Sequence, residues 1–545
     1  MLPRVLALLL LTASHLLAQA ILPAPVAPAE NPQTPDKVLL GKALFWDEQL
    51  SSSRSVACGT CHVFSQGGAD PRTQTASHPG PDGVFGTPDD TRGSPGVGLH
   101  DASGHYSASL RFGVQVQVTP RRAPSVINAA YAQSLFLDGR AGGQFRDPVT
   151  GAVVIADGGA LENQIASPPV NSAEMGHLGR TWTDIAADLS SLTPLVLASN
   201  VPATLQQFVA GRTYDTLFAQ VFGSPGVTPV RIIFALAAYE RTLISDQSPF
   251  DRFLAGRGNL TTSQLAGLAA FETHCATCHT DLDASVLVTG PMLDDYRNIG
   301  ERPTVEDLGR AAVTGLAADR GAFRVPGLRN VALRGSYFHR GRQPTLGAVL
   351  DFYRRGGDFA DNRDPLVANL QGNLTGTDSL HVMALLQSLT DPRVANELPP
   401  FDRPTLWSEG AMVPYSFGTG SAGVGRDSPR IAAMAPAYLG NPRFAIGVDR
   451  VPVGSLSILM LDWALAPAPV QLGGHSLFLE LTPQALLLPI AVAAPGPDGA
   501  GHTSALFALP QVPALAGTYF AQWITFDPEG PWGLASSNAL TFTIF

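Results

Sequence analysis

The apolar positions of the first half of the chain fall at helical spacing. Leu39, Leu40, Ala43 and Leu44 share one face, and Pro35 and Asp36 before them supply a helix start. A segment of the same kind carries Leu265, Leu268, Ala269 and Phe271 behind Thr262 or Ser263 as the cap. Gly41-x-Ala43-Leu44-Phe45 matches Gly267-x-Ala269-Ala270-Phe271, which suggests two related halves. Val230 to Leu243 is apolar nearly all round and reads as a buried helix, and Asp378 to Leu389 reads as the last helix of the second half. Beyond Asn396 the pattern changes. Pro399, Pro400 and Pro404 mark a linker, followed by short strand-like runs at Ser455–Leu461, Ser476–Leu481, Thr518–Ile524 and Ala539–Ile544 between Gly/Pro turns. That spacing predicts an antiparallel β-sandwich.

The ends and the composition refine this picture. Arg4, the apolar run Val5–Leu11 and the small-x-small site Ala18-Gln19-Ala20 read as a secretory signal peptide over residues 1–20. A Pro/Ala-rich linker follows over 21–35. No later run is apolar for long enough to span a membrane, so a periplasmic or secreted protein is expected. The net charge of −10 argues against nucleic acid as a partner. Charged residues make up only 15%, against 55 Gly and 45 Pro, so long loops are expected. Asp82, Asp89 and Asp90 stand in one such loop without EF-hand spacing and read as turn residues rather than calcium ligands.

All four cysteines lie in two copies of one signature, Cys58-Gly59-Thr60-Cys61-His62 and Cys275-Ala276-Thr277-Cys278-His279. C-x-x-C-H is the attachment signature of c-type haem: two thiols bind the haem covalently and the histidine ligates iron. A shared zinc site would need all four thiolates to converge on one ion and gives the two histidines no task. The expected fold is therefore mainly α, with two cytochrome c-like haem domains and long loops (36–250 and 251–395). A linker (396–412) and a C-terminal antiparallel β-sandwich (413–545) follow. Two covalently bound haem c groups are the expected cofactors.

Further stretches carry a resemblance. They are Leu40-Gly41-Lys42-Ala43-Leu44-Phe45, Arg122-Ala123-Pro124-Ser125, Asp138-Gly139-Arg140, Leu161-Glu162-Asn163-Gln164 and Glu174-Met175-Gly176. Later come Glu240-Arg241-Thr242-Leu243, Phe323-x-Val325-Pro326-x-Leu328-Arg329-Asn330 and Tyr337-Phe338-His339. In this order around two haem motifs, the chain resembles the bacterial di-haem cytochrome c peroxidase family over roughly residues 35–395. The resemblance assigns peroxide to the His62 haem and electron entry to the His279 haem. It makes Glu174 and Gln164 the distal acid and amide, and it puts Tyr353 where typical members ligate the second iron with methionine. Tyrosine there is similar to the branch whose best-known member oxidises tryptophans of a precursor protein. His78 stands near the spacing of a histidine that closes the peroxidatic haem in relatives, with His100 and His105 as competitors.

The chain departs from the family pattern at three places. Leu137 replaces the inter-haem tryptophan, which leaves Phe136 or Tyr131 as candidate substitutes. An insertion runs from about Ala141 to Ala160. Arg122 stands where relatives place a calcium-binding asparagine, with Arg334 and Ser336 at two further calcium positions, so a structural calcium is an open expectation. A buried arginine could supply the charge instead.

The expected function is reduction of hydrogen peroxide to water, with electrons from a small periplasmic cytochrome or cupredoxin, or from an oxidisable protein substrate. Two alternatives are a di-haem electron-transfer cytochrome without peroxidase activity and a di-haem oxygenase acting on an apolar or protein substrate.

Overall fold

A computed structural model describes residues 22–280, 294–422, 427–490, 493–497 and 499–545. The leader expected at 1–20 lies outside the described residues. In the first half, α1 (Pro35–Phe45) opens on Thr34, whose side chain accepts from the Lys37 N–H, with Pro35 in the first turn. Two short strands, β1 (Pro95–Gly98) and β2 (Val116–Val118), pair antiparallel within the long loop. The insertion folds into a hairpin of β3 (Phe145–Arg146) and β4 (Val153–Ile155), which buries Phe145 and Ile155 in the core. Helix α2 (Ala160–Ile165) follows, then α3 (Pro229–Glu240), whose residues Ile232 to Glu240 are all buried, as its apolar run predicts.

The second half repeats the plan. Helix α4 (Thr262–His274) is capped by Thr261, one residue before the expected cap, because Thr261 and Gln264 form a reciprocal capping box. Strands β5 (Tyr296–Arg297) and β6 (Phe323–Arg324) pair, then come α5 (Leu346–Arg354) and α6 (Gly376–Ser388). In each half the helix before the haem motif crosses the last helix at a glycine. A Cβ on Gly41 would sit 1.9 Å from the Ala235 carbonyl oxygen of α3, and one on Gly267 would sit 2.1 Å from that of His381 in α6. The two glycines noticed in the sequence are thus equivalent contact points.

A longer repeat connects the halves. Arg122, Pro124, Asn128, Ser134, Phe136, Gly139 and Arg140 recur in the same order and spacing as Arg324, Pro326, Asn330, Ser336, Phe338, Gly341 and Arg342. The backbones agree: φ is 61° at Asn128 and 60° at Asn330, then 63° at Phe136 and 62° at Phe338. Each asparagine caps the chain leaving the last helix, since Asn128 Oδ1 accepts from Ser245 N–H and Asn330 Oδ1 from Asp391 N–H. Asn330 also donates through Nδ2 to Ser245 Oγ (2.8 Å). The first half packs around one apolar cluster and the second around another that runs from Phe250 to Leu389.

The C-terminal region is antiparallel sheet. Its strands are β7 (Tyr415–Phe417), β8 (Arg430–Ala432), β9 (Phe444–Val451), β10 (Ser457–Asp462), β11 (Leu465–Leu472), β12 (His475–Leu479), β13 (Leu486–Ile490), β14 (Ala494–Pro495), β15 (Gly501–Phe507), β16 (Gly517–Phe526) and β17 (Leu534–Ile544). Among the described residues one sheet has the order β8-β9-β15-β14, another β13-β10-β16-β17-β7, and β11 pairs with β12. Phe444, Ile446 and Val448 of the first sheet share one apolar cluster with Leu459, Trp523 and Phe542 of the second.

Neither segment expected as a linker hangs free. In 21–35, Leu22 is buried, and Asn31 Nδ2 donates to Glu162 Oε1 (2.8 Å) and the Phe234 carbonyl (3.1 Å). In 396–412, Phe401 and Leu406 belong to the core of the first half. The Trp407 and Ser408 N–H groups donate to the Glu48 carboxylate at 2.7 and 3.0 Å. Proline fixes the backbone of these stretches without keeping them in solvent. The β region also packs on the long loop of the first half. Tyr106 and Val114 cluster with Ala432 and Ala445, the Val114 N–H donates to Asp449 Oδ2 (3.0 Å), and the Gly98 N–H of β1 donates to Met434 Sδ (3.0 Å). No helix among the described residues is long and apolar enough to cross a membrane.

Candidate functional site

A cavity of about 530 Å³ opens in the first half and gathers the residues that the sequence singled out. That is in the size range of small-molecule and cofactor pockets, ~300–1,000 Å³. Cys58, Cys61 and His62 line it, together with Gln164 and Glu174. The cysteines bracket a single helical turn, and a Cβ on Gly59 would sit 2.1 Å from the ring of Trp46, so only glycine fits between motif and core at that point. The ring of Trp46 is itself fixed by an indole N–H bond to the Tyr239 hydroxyl (3.3 Å). Burial pushes the Cys61 thiol up to about 12, and the Cys58 thiol up as well. The free thiols stand in for thioether sulfurs, whose neutrality suits this environment. His62 Nδ1 lies 3.3 Å from the Gly68 carbonyl, which can only accept, so Nδ1 carries the proton and Nε2 is left as the ligand atom. Burial lowers the pKa of His62, which favours the neutral imidazole that metal ligation requires. Two cysteines and a neutral histidine on the wall of a cofactor-sized, largely apolar cavity fit haem c.

Glu174 sits in a tight turn built by Asn171. The Glu174, Met175 and Gly176 N–H groups all donate to the Asn171 carbonyl, and Asn171 Nδ2 donates to Glu174 Oε1 (3.0 Å). One carboxylate oxygen is thus held while the other keeps its capacity for a proton. Burial raises the pKa of Glu174, and the Arg140 guanidinium opposes that shift. Arg140 is bonded to Asp138 (2.9 Å) and lies 3.5 Å from the centre of the Phe136 ring. Gln164 reaches the cavity from α2, whose Glu162 is held by Arg241 at 2.8 Å. Ile165, Pro168, Pro169 and Met175 supply apolar wall.

Four carboxyl-bearing residues line this cavity, Glu174 and Glu240 from the first half and Glu306 and Asp307 from the second. Glu174 was expected; Glu240, at the end of α3, was quoted only for its motif, and burial pushes it up to about 8. Arg140 likewise entered the sequence reading only as part of Asp138-Gly139-Arg140. Its recurrence as Arg342 was the available signal that its loop is structural in both halves. His78, His100 and His105 do not line the cavity. His78 is buried and accepts from the Gly80 N–H, His100 bonds the Gly98 carbonyl and Ser52, and His105 meets Ser504 of the β region.

A smaller cavity of about 40 Å³ adjoins the first, and Arg122, Leu137 and Arg324 line both. Arg329 and Arg334 complete its cationic wall, and all four arginines are buried. Arg122 donates to the carbonyls of Phe338 (3.2 Å) and Ala123 (3.1 Å), and burial next to Arg334 pulls it down to about 9. Four guanidinium groups around so small a space do not fit a divalent cation. The residues at the expected calcium position therefore disagree with calcium. In the Asp82–Asp90 loop, Asp89 accepts from the Asp82 N–H and Asp90 from that of Gly86, as carboxylates that stabilise turns do. Among the described residues no group of three or more His, Cys, Asp or Glu side chains could hold a metal ion.

In the second half, Cys275 closes α4 and the His279 N–H donates to the Cys275 carbonyl (2.9 Å). Helix α5 carries Tyr353 to the same place. Burial raises the pKa of its phenol, and the two thiols, Cys275 and Cys278, raise it further. Tyr353 also packs edge-on against Phe338 (6.0 Å), the counterpart of Phe136.

Known proteins resemble the chain as follows. A family model of di-haem cytochrome c peroxidase matches residues 35–259. Cytochrome c peroxidase Ccp of Escherichia coli (strain K12) is 32% identical over 326 residues, covering 59% of this chain and 54% of that protein, so the match spans about half of that relative's length. Methylamine utilization protein MauG of Methylorubrum extorquens is 31% identical over 338 residues, which cover 61% of this chain and 72% of that one. Among solved structures, a MauG-like protein associated with microbial copper homeostasis shares 24% identity, with 68% of this chain and 94% of that chain covered and a TM-score of 0.48.

Proposed function

Because the chain belongs to the di-haem cytochrome c peroxidase family, we propose that it reduces hydrogen peroxide to water in the first cavity, with electrons entering through the second haem site. The observation that carries this reading is Glu174, a half-buried acid with one oxygen pinned by Asn171, on the wall of the cavity that holds Cys58, Cys61 and His62. When bound there, haem supplies iron for the peroxide and the electron transfer that breaks its O–O bond. The chain's own residues manage protons. The Glu174 carboxylate takes a proton from one peroxide oxygen and returns it to the other, which leaves as water. Burial makes it a stronger base than a free glutamate, and the Arg140 guanidinium opposes that shift. The Gln164 amide offers both a donor and an acceptor to the substrate. The apolar wall keeps bulk water from competing for the same proton.

An electron carrier would give Glu174 no task, and an oxygenase would be better served by an apolar cavity without an acid at that position. The donor is a small periplasmic cytochrome or cupredoxin, or an oxidisable protein side chain, met in the periplasm or outside the cell. The haem-loaded protein with a reduced cytochrome or cupredoxin should oxidise two donors per peroxide. Donor oxidation that needs dioxygen instead would favour the oxygenase.

Tyr353 is the proposed second protein ligand of the His279 haem. A phenolate favours oxidised iron and a thioether favours reduced iron. Tyr353→Met should therefore raise the reduction potential of that haem alone in a spectroscopic titration. Unchanged potentials would make Tyr353 a packing residue.

A further inference from the structure

Leu137 leaves the space between the two haem sites without an oxidisable side chain at the family's usual position, and the structure offers another. Tyr296, on β5, pairs with Arg324, which lines both cavities. Its phenolic oxygen lies against the first half, 2.0 Å from where a Cβ on Gly139 would sit. Gly139 neighbours Arg140 on the wall of the peroxide cavity. Across the β5–β6 pair, the Arg324 N–H donates to the carbonyl of Leu137 (2.8 Å). The ring thus stands beside Leu137, where a strand of the second half meets the Gly139 loop of the first.

The hydrogen bonds of Tyr296 set it apart from Tyr131 and Tyr337. Its hydroxyl bonds Ser134 Oγ, and Ser134 Oγ donates in turn to Asp294 Oδ1 (2.8 Å), which also accepts from the Ser134 N–H (3.2 Å). Tyr131, the candidate from the sequence, donates to the Pro23 carbonyl, and Tyr337 donates to those of Val331 and Arg334. A carbonyl accepts a hydrogen bond but does not take up the proton, whereas a carboxylate does. Arg310 lies 4.3 Å from the centre of the Tyr296 ring and disfavours positive charge on it, so the ring can lose an electron only together with its proton.

We propose that Tyr296 is a one-electron relay between the two haem sites, with Ser134 and Asp294 as its proton acceptors. The proposal rests on the peroxidase reading for its oxidant. An electron leaves the phenol toward the first cavity as the O–H bond breaks. The proton passes to Ser134 Oγ while that hydroxyl's own proton passes to Asp294, giving a neutral tyrosyl radical and a neutral carboxylic acid. An electron from the reduced donor, arriving through the second site, restores the phenol as the proton returns along the same two bonds. Two such cycles supply the two electrons that peroxide takes up with two solvent protons to form two waters.

The test uses the haem-loaded full chain, Tyr296→Phe and Asp294→Asn. After one equivalent of peroxide without donor, freeze-quenched wild-type protein should show a tyrosyl radical that Tyr296→Phe lacks. In stopped-flow experiments, electron transfer between the haems should slow about tenfold or more in both variants. The solvent deuterium effect seen in the wild type should disappear in Tyr296→Phe, which a packing role would not cause. Transfer at the wild-type rate with the same deuterium effect in Tyr296→Phe would overturn the relay. Failure of the wild type to consume peroxide would overturn the peroxidase reading instead. A photogenerated one-electron oxidant then tests the relay by itself: a radical in Tyr296→Phe equal to that in the wild type would overturn it.

Discussion

Replacing Glu174 by glutamine is expected to lower peroxide turnover by about 10²–10⁴-fold while both haems stay attached. The amide keeps the shape of the acid, and its oxygen still accepts from Asn171 Nδ2, so the turn at Asn171 should survive. Only the proton acceptor is lost. Burial raises the pKa of Glu174, so its ionised form is the costly one in the fold. That cost is fully present above the raised pKa, shrinks as pH falls through it and is gone below the unfolded value, so Glu174→Gln should not lower the melting temperature at neutral pH. Activity has the opposite dependence: the base is lost as pH falls through the raised pKa, at higher pH than for a free glutamate. Arg140→Leu removes the charge that opposes the shift and should move this acid limb to still higher pH. Steady-state kinetics across pH with thermal melts of the same samples check all three points. Full turnover in Glu174→Gln would remove the residue from the mechanism.

Ending the chain at Pro399 is expected to unfold the first half, although that cut falls before the β region begins. Phe401 is fully buried against Phe64, with ring centres 5.4 Å apart, and Leu406 is buried beside the same cluster. Losing side chains of this size from a core costs ~2–5 kcal/mol each, against a typical total stability of ~5–15 kcal/mol. The cut also removes the Lys42–Asp402 ion pair (2.6 Å) and the two N–H donors to Glu48, a carboxyl that burial already pushes up to about 7. A chain ended at Gly410 keeps these contacts and should fold and hold haem. It should still lose much of its peroxide turnover, because β1 then lacks its support. Gly98 of β1 rests on Met434, and a Cβ on Gly96 of the same strand would sit 2.1 Å from the Ala173 carbonyl, beside Glu174. The β region therefore braces the loop behind Glu174. Soluble yield, haem content and peroxide turnover of the two truncations measure this. A Pro399 chain that melts like the full-length protein would show that the segment is dispensable.

Local signals made the helices legible. Thr34 with Pro35 and Thr375 with Asp378 are starts that hydrogen bonding within a few residues determines. The haem motifs were legible because attachment needs both thiols and the histidine within one turn. Glu174 and Gln164 were found through motif resemblance, and the structure brings both to one cavity wall. What composition concealed was long-range packing. Proline-rich stretches resemble free linkers, yet Phe401, Leu406 and Leu22 are anchors whose partners lie far away in sequence. The docking of the β region was equally hidden, since it depends on Tyr106 meeting Gly447, where a Cβ would come within 2.7 Å of the ring. The Tyr296, Ser134 and Asp294 grouping unites segments about 160 residues apart, and no periodicity announces it.

Ser245 has a mechanical consequence. Its backbone N–H is held by Asn128 of the first half, while its hydroxyl is held by Asn330 of the second. One residue therefore rivets the two repeats together at the same point of each. Twisting one half against the other would break buried bonds on both sides of this rivet. Electron tunnelling weakens steeply with every added ångström, so a joint that does not slip fixes the gap between donor and acceptor as a built dimension of the molecule. Conditions that loosen the protein should then slow transfer between the haems well before either haem is exposed.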